Sequence, residues 1–204
     1  MKINTSRLFL ITLIVLCIHA DYSFAIADNK TQAKEQQNIE KQELKTKKQE
    51  QCISLTNEQS AALVAQDWEN LERLAKDYLS KCRGFISSQE LSDRAVNITI
   101  AYYELGRFKQ AIVSADACIK IYYGNSGCHI LKAKSLFALG NRTAAIKTLD
   151  ISDRIAHHAL EGAKHDLERA SSELDKELYG SFVNKFESEL QHIEAIRSKY
   201  AKEP

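Results

Sequence analysis

The apolar positions from Cys52 onward follow the period of an α-helix. They recur three, four and seven residues apart, which is the spacing of a buried stripe along one helical face. The chain contains one proline, Pro204, at its C-terminus, so no proline interrupts the helical segments. The pattern therefore predicts an all-α domain, and its clearest stripe comprises Trp68, Leu71, Leu74, Ala75, Tyr78 and Leu79.

This pattern repeats itself after 34 residues. The segment starting at Ala101 matches the segment starting at Ser135, so that Leu105-Gly106 aligns with Leu139-Gly140. A period of about 34 residues is typical of a helix-turn-helix unit, with a glycine in the tight turn between the two helices. The self-match predicts two stacked helical hairpins.

The repeated residues resemble the tetratricopeptide repeat family. A degenerate earlier copy starts near Ile53; it has Gln66 in place of the turn glycine, and its longer spacing predicts extra residues at 84–88. The resemblance implies a short array of two to three helical-hairpin repeats over residues 52–158. It rests on Ala101-Tyr102-Tyr103, Gly106, Phe108, Ala111-Ile112 and Cys118, and then on Ala133, Phe137, Gly140, Ala145 and Leu149.

Residues 159–204 continue the helical period as an amphipathic segment, with an interruption or bend expected at Gly180-Ser181. Two roles remain open for it. It caps the last repeat with a polar outer face, or it forms a coiled coil in a homodimer, since Leu160, Leu167 and Leu174 lie one heptad apart.

The N-terminus indicates export. Residues 1–27 combine Lys2 and Arg7 with a short apolar stretch and an Ala-Ile-Ala site, which together predict a cleaved signal peptide. Residues 28–51 are polar, and we expect a disordered linker there. The periplasm is the expected location; the alternative is an uncleaved membrane anchor, which is also the only membrane association we expect.

Export favours disulfide bonds among the four cysteines that follow the predicted signal peptide, Cys52, Cys82, Cys118 and Cys128. Cys52 opens the first helix of the degenerate copy and Cys82 closes its second helix. Four cysteines allow three pairings, between which the sequence does not choose. The two helix ends are neighbours in an antiparallel pair, so a Cys52–Cys82 bond is one hypothesis. The other two either bridge the matched repeats or remain buried thiols.

No enzyme motif accompanies the repeats. The chain has 28 Lys and Arg against 27 Asp and Glu, which argues against nucleic-acid binding. His157, Glu161 and His165 share one helical face, but they lack the order of a zinc protease and a fourth ligand, so we expect no metal and no cofactor.

The resemblance instead implies a non-catalytic scaffold that binds a protein or peptide in a groove lined by the first helix of each repeat. Two alternatives remain: self-association through the C-terminal helices and a metal-dependent envelope enzyme. The groove residues implied by the resemblance are Val96, Asn97, Ile100, Tyr103, Glu104, Ile130, Leu131, Lys134 and Phe137. The C-terminal helix would occupy this groove if it folds back.

Overall fold

The protein is represented by a computed structural model that describes residues 5–201, with side chains from Glu35 to Ala201. Within this range it has seven α-helices and no strand, so the predicted all-α array of helical hairpins is confirmed. The helices are α1 Thr5–Val64, α2 Trp68–Cys82, α3 Ser88–Glu104, α4 Phe108–Ile121, α5 Ser126–Ala138, α6 Arg142–Arg169 and α7 Glu173–Ala201.

The chain divides after Glu50 into two compact units. Residues 35–50 are helical and all exposed, whereas the sequence predicts disorder across 28–51. The helix is explained by the many Glu, Lys and Gln residues, which have high helix propensity even without an apolar face. The side chains of the predicted signal peptide lie outside the described part. Where side chains are described, no helix has the length and apolarity that crossing a membrane requires.

Three turns with the same backbone join the helices of each hairpin. Gln66, Gly106 and Gly140 have positive φ angles of 55°, 69° and 76°. At Gly106 the N–H donates to Tyr103 O at 3.0 Å, and the next N–H donates to Tyr102 O at 2.8 Å. The other two turns repeat this double bond, which is the Schellman motif that ends a helix. The degenerate first copy is therefore a complete hairpin.

The spacing from the turn at Gln66 to the turn at Gly106 exceeds that from Gly106 to Gly140 mainly because of α3. The connection from α2 to α3 is one residue longer than that from α4 to α5, and α2 is one residue longer than α4. α3, by contrast, has 17 residues where α5 has 13. The expectation that 84–88 holds the extra residues is thus wrong for most of them.

Small side chains let the paired helices approach closely. Ala111 and Ala145, which are 34 residues apart, are both fully buried. Larger residues fill the space between the helices. Leu71, Leu74 and Tyr78 of α2 pack with residues of α1 and α3 in one such cluster. The core is thus a row of similar clusters along the stack, as expected where each hairpin buries its face against its neighbour.

The C-terminal segment forms two long antiparallel helices, and α7 caps the stack. Ile193 and Ile196 of α7 are buried against α5 and α6. The expected interruption at Gly180-Ser181 is wrong, because α7 runs through both residues. The helical structure is interrupted at residues 170–172. There the Ser172 hydroxyl accepts a hydrogen bond from Asp175 N at 3.1 Å and caps the N-terminus of α7.

Candidate binding surface

The predicted groove residues differ in how far solvent reaches them. Asn97 and Ile130 are buried, Glu104 is exposed and the other six are half-buried. Each of the two buried residues contacts a neighbouring helix. Asn97 Nδ2 donates to Gln59 Oε1 of α1 at 2.7 Å, and Ile130 packs in the cluster that contains Ile193 of α7. Both side chains therefore contribute to packing between helices.

Gln59 is a partner that the sequence pattern did not reveal. Its side chain is fully buried, although glutamine is usually exposed. Its Nε2 has no hydrogen-bond partner in the described part of the chain. The polar pair that it forms with Asn97 fixes the register of α1 against α3, since leaving either amide alone in the interior is unfavourable.

Four side chains converge at the C-terminal ends of α3, α5 and α7, and we call them the aromatic platform: Tyr103, Lys134, Phe137 and Tyr200. The Lys134 ammonium lies 4.5 Å from the centre of the Tyr103 ring. The Phe137 and Tyr200 rings are stacked, with centres 3.9 Å apart and planes 6° from parallel. All four residues are half-buried, so the platform has a packed side and a solvent side.

The electrostatics of the platform follow from this partial burial. Burial raises the pKa of the Tyr103 phenol, and the nearby Tyr200 and Glu104 raise it further. The phenol therefore stays neutral at physiological pH and remains a hydrogen-bond donor. Lys134 supplies a positive charge beside it, so the platform combines an aromatic surface, a neutral donor and a cation.

The C-terminal helix covers one side of the predicted groove. Arg197 of α7 holds α6 through Asp150, at 2.8 Å, and through Asp153, at 3.8 Å. These ion pairs and the buried Ile193 fix the last turns of α7, which places Tyr200 over Phe137. The sequence left open whether the C-terminal helix enters the groove. It does so along α5, and Tyr200 completes a platform that the repeat pattern could not show.

The four cysteines lie in two pairs at disulfide distance. The Cα atoms of Cys52 and Cys82 are 5.9 Å apart, and those of Cys118 and Cys128 are 6.2 Å apart. Both separations lie within the usual range for a disulfide. The first pair joins α1 to α2 and the second joins α4 to α5, so each pair ties two consecutive helices.

The histidine-containing face of α6 is solvated. His157 Nδ1 lies 2.9 Å from the carbonyl oxygen of Asp153, and Glu161 and His165 are exposed. Among the residues with described side chains, no group of three His, Cys, Asp or Glu is arranged to hold a metal ion.

Comparisons with known proteins add little to this geometry. No family model matches the chain, and no curated protein matches it. Among solved structures, the TPR2B domain of yeast Sti1 in complex with pHsp70 matches at 17% sequence identity with a TM-score of 0.49. The alignment covers 68% of this chain and 97% of that chain. A likeness at this level supports no statement about what this protein binds.

Proposed function

We propose that this protein is an exported, non-catalytic scaffold that holds a segment of a partner protein on the aromatic platform. The observation that carries the proposal is the convergence of Tyr103, Lys134, Phe137 and Tyr200 from three separate helices onto one half-exposed surface. Aromatic side chains with one packed side and one open side are typical anchors of protein interfaces.

The rigidity of the platform supports a binding role. Tyr200 is held by the stacked Phe137 ring, and α7 is held by Arg197 and by buried isoleucines. A preformed surface loses little conformational freedom when a partner docks. Glu104 lies exposed beside Tyr103, so an incoming segment meets both a cation and an anion next to the rings.

The proposed location is the periplasm, reached through a signal peptide cleaved before Asp28. Two cysteine pairs at disulfide distance support an oxidising compartment. Mass analysis of the chain purified from the host envelope tests this. An N-terminus at Asp28 and a mass lower by two hydrogens per bonded pair support export, whereas an intact N-terminus with five free thiols contradicts it.

Crosslinking and pull-down from the host envelope test the platform. Lys134→Glu reverses a half-exposed charge without removing a buried group, so we expect loss of the captured partner at an unchanged melting temperature. Tyr103→Ala should also lose the partner. Val113→Ala, at a residue of α4 that is 70% exposed, is the control and should retain it. If both platform variants retain the partner, or if they only lose stability, the platform serves as internal packing.

A second candidate function is self-association through α7. Leu174, Leu178 and Phe182 are 76%, 47% and 40% exposed and lie four residues apart. This spacing forms an open apolar stripe on one face, which suits pairing with the same stripe of a second copy. Light scattering tests it: a dimer that Leu178→Glu converts to a monomer supports pairing, and a wild-type monomer at high micromolar concentration excludes it.

A further inference from the structure

Two apolar clefts lie side by side along the second helices of the repeats. The first cleft, of about 570 Å³, lies between the ends of α2 and α4 and the start of α3, and its lining includes Leu79, Arg83, Lys120 and Ile121. The second cleft, of about 650 Å³, lies between the α4–α5 connection and α6, and its lining includes Tyr122, Tyr123, Arg154 and Ile155. Ile121 lines the first cleft and its chain neighbour Tyr122 lines the second, so the two clefts are adjacent.

The repeat places equivalent residues in both clefts. Lys120 of the first and Arg154 of the second are 34 residues apart, and Ile121 and Ile155 have the same offset. The isoleucines are explained by packing, since both are half-buried. Packing does not explain the two basic side chains, which are exposed. Each cleft thus pairs an aliphatic floor with a cation at the same position on its rim.

The charge of the rims has one sign. Arg83 and Lys120 border the first cleft and Arg154 borders the second, and no residue lining either cleft is acidic. Among the described residues, Lys120 and Arg154 form no ion pair. Their charges are therefore available to a ligand, although the net charge of the whole chain is only +1.

The aromatic wall of the second cleft is held open to solvent. Tyr122 and Tyr123 are 38% and 59% exposed. A Cβ atom at Gly124 would lie 2.8 Å from the Tyr122 ring, so the absence of a side chain lets that ring lie against the backbone. Tyr123 meets the His129 ring edge-on at 5.1 Å. These contacts fix two large exposed side chains beside the rim cation Arg154.

We propose that the two clefts together bind a single acidic amphipathic segment of a partner protein. Its aliphatic side chains enter the clefts, and its carboxylates pair with Lys120 and Arg154. The surface is separate from the aromatic platform, because the platform residues belong to α3, α5 and α7, whereas the clefts lie mainly on α2, α4 and α6. The protein then holds two partners at once, one on each side of the array.

Fluorescence anisotropy with a labelled synthetic peptide tests the proposal. The probe carries leucines at helical spacing with glutamates at the remaining positions, and a matched peptide carries lysines in place of the glutamates. We expect the acidic probe to bind the wild-type chain and the basic probe to bind at least tenfold more weakly. Binding of the acidic probe should weaken with added salt, because exposed charges are screened.

Matched variants assign the binding to the clefts. Lys120→Glu combined with Arg154→Glu should weaken the acidic probe about tenfold or more, since two rim pairs are replaced by repulsion. The control is Lys109→Glu with Lys147→Glu, which makes the same charge change at exposed positions of α4 and α6 outside the clefts and should leave binding unchanged. Ala117→Trp, which fills the first cleft at an exposed position, should also weaken the probe.

Three results would overturn the proposal. The first is equal binding of the acidic and the basic peptide, and the second is an equal loss of binding in the rim variant and the control variant. The third is binding of phosphatidylglycerol vesicles without binding of the acidic peptide, a result that would assign the surface to a membrane. Lys134→Glu separates this proposal from the platform. It should abolish partner capture on the platform and leave the acidic probe bound in the clefts.

Discussion

At the scale of single residues, Gln66 carries a conformation that suits glycine. Its φ angle is 55°, where the two later turns have glycine. A non-glycine residue in this left-handed region costs about 1–2 kcal/mol. Replacing Gln66 by glycine removes this cost. Part of the resulting gain in stability is offset, because glycine makes the unfolded chain more flexible, which lowers the free energy of unfolding by about 0.4–1 kcal/mol. We therefore expect Gln66→Gly to stabilise the protein by about 0.5–1 kcal/mol, measured as a higher midpoint in urea unfolding.

The reciprocal change at Gly106 serves as the control. Its φ angle is 69°, and an added Cβ would have no atom within 4 Å. Gly106→Ala therefore tests backbone conformation without a steric clash. After the same correction for the flexibility of the unfolded chain, it should destabilise the protein by about 0.5–1 kcal/mol. Equal stability of all three chains would show that the turns relax, and that the shared backbone places little constraint on sequence.

His129 should make the stability of the fold dependent on pH. Burial lowers the pKa of its imidazole, and its Nε2 lies 3.1 Å from the carbonyl oxygen of Tyr123. Below the unfolded-state pKa of about 6.5, the His129 imidazole binds a proton in the unfolded chain but stays neutral in the folded chain until a lower pH. Stability should therefore fall as the pH drops from 7.5 to 5.5. In His129→Gln the same drop in pH should cost less, as urea unfolding at both values will show.

At the scale of elements, the docking of α7 rests on its last turns. Ile193 is fully buried, whereas Leu174 on the same helix is 76% exposed. Ile193→Ala should destabilise the protein by about 2–5 kcal/mol, because it removes a buried side chain and leaves a cavity. Leu174→Ala should change stability by less than about 0.5 kcal/mol. Urea unfolding at low micromolar concentration measures the stability of both variants. Similar losses of stability would contradict the docking of α7 through Ile193.

The boundaries of the C-terminal helices show where sequence patterns mislead. Gly180-Ser181 is a plausible break, but a single glycine costs a helix only about 1 kcal/mol, and the packing of Ile193 and Ile196 outweighs this. The real break at Ser172 has a local cause, since Ser172 Oγ also donates to Asp175 Oδ2 at 2.6 Å. That capping signal is present in the sequence and is a stronger predictor of a helix start than the glycine is of a helix end.

At the scale of the molecule, the repeat pattern predicted the hairpins but not the contacts between distant helices. Leu105-Gly106 and Leu139-Gly140 mark their turns because local backbone geometry requires glycine there. The Gln59–Asn97 pair and the Phe137–Tyr200 stack involve residues 38 and 63 positions apart, which no local period relates. Tyr103, Lys134 and Phe137 of the platform were therefore visible in the sequence, and only Tyr200, which α7 supplies, needed the structure.

The pairing of the cysteines sets the stability of the whole array, and the two pairs should contribute unequally. Cys52 and Cys82 are 30 residues apart, whereas Cys118 and Cys128 are 10 apart. In the chain-entropy model a bond closing the longer loop stabilises by about 3–4 kcal/mol and the shorter by about 1 kcal/mol less. Urea unfolding of Cys52→Ala/Cys82→Ala and of Cys118→Ala/Cys128→Ala, each with and without reductant, checks this order. The reductant should destabilise each double variant only by the contribution of its remaining bond. If it destabilises the first variant as much as the wild-type chain, the Cys52–Cys82 bond does not form, and the first hairpin must be held by packing around Tyr78 alone.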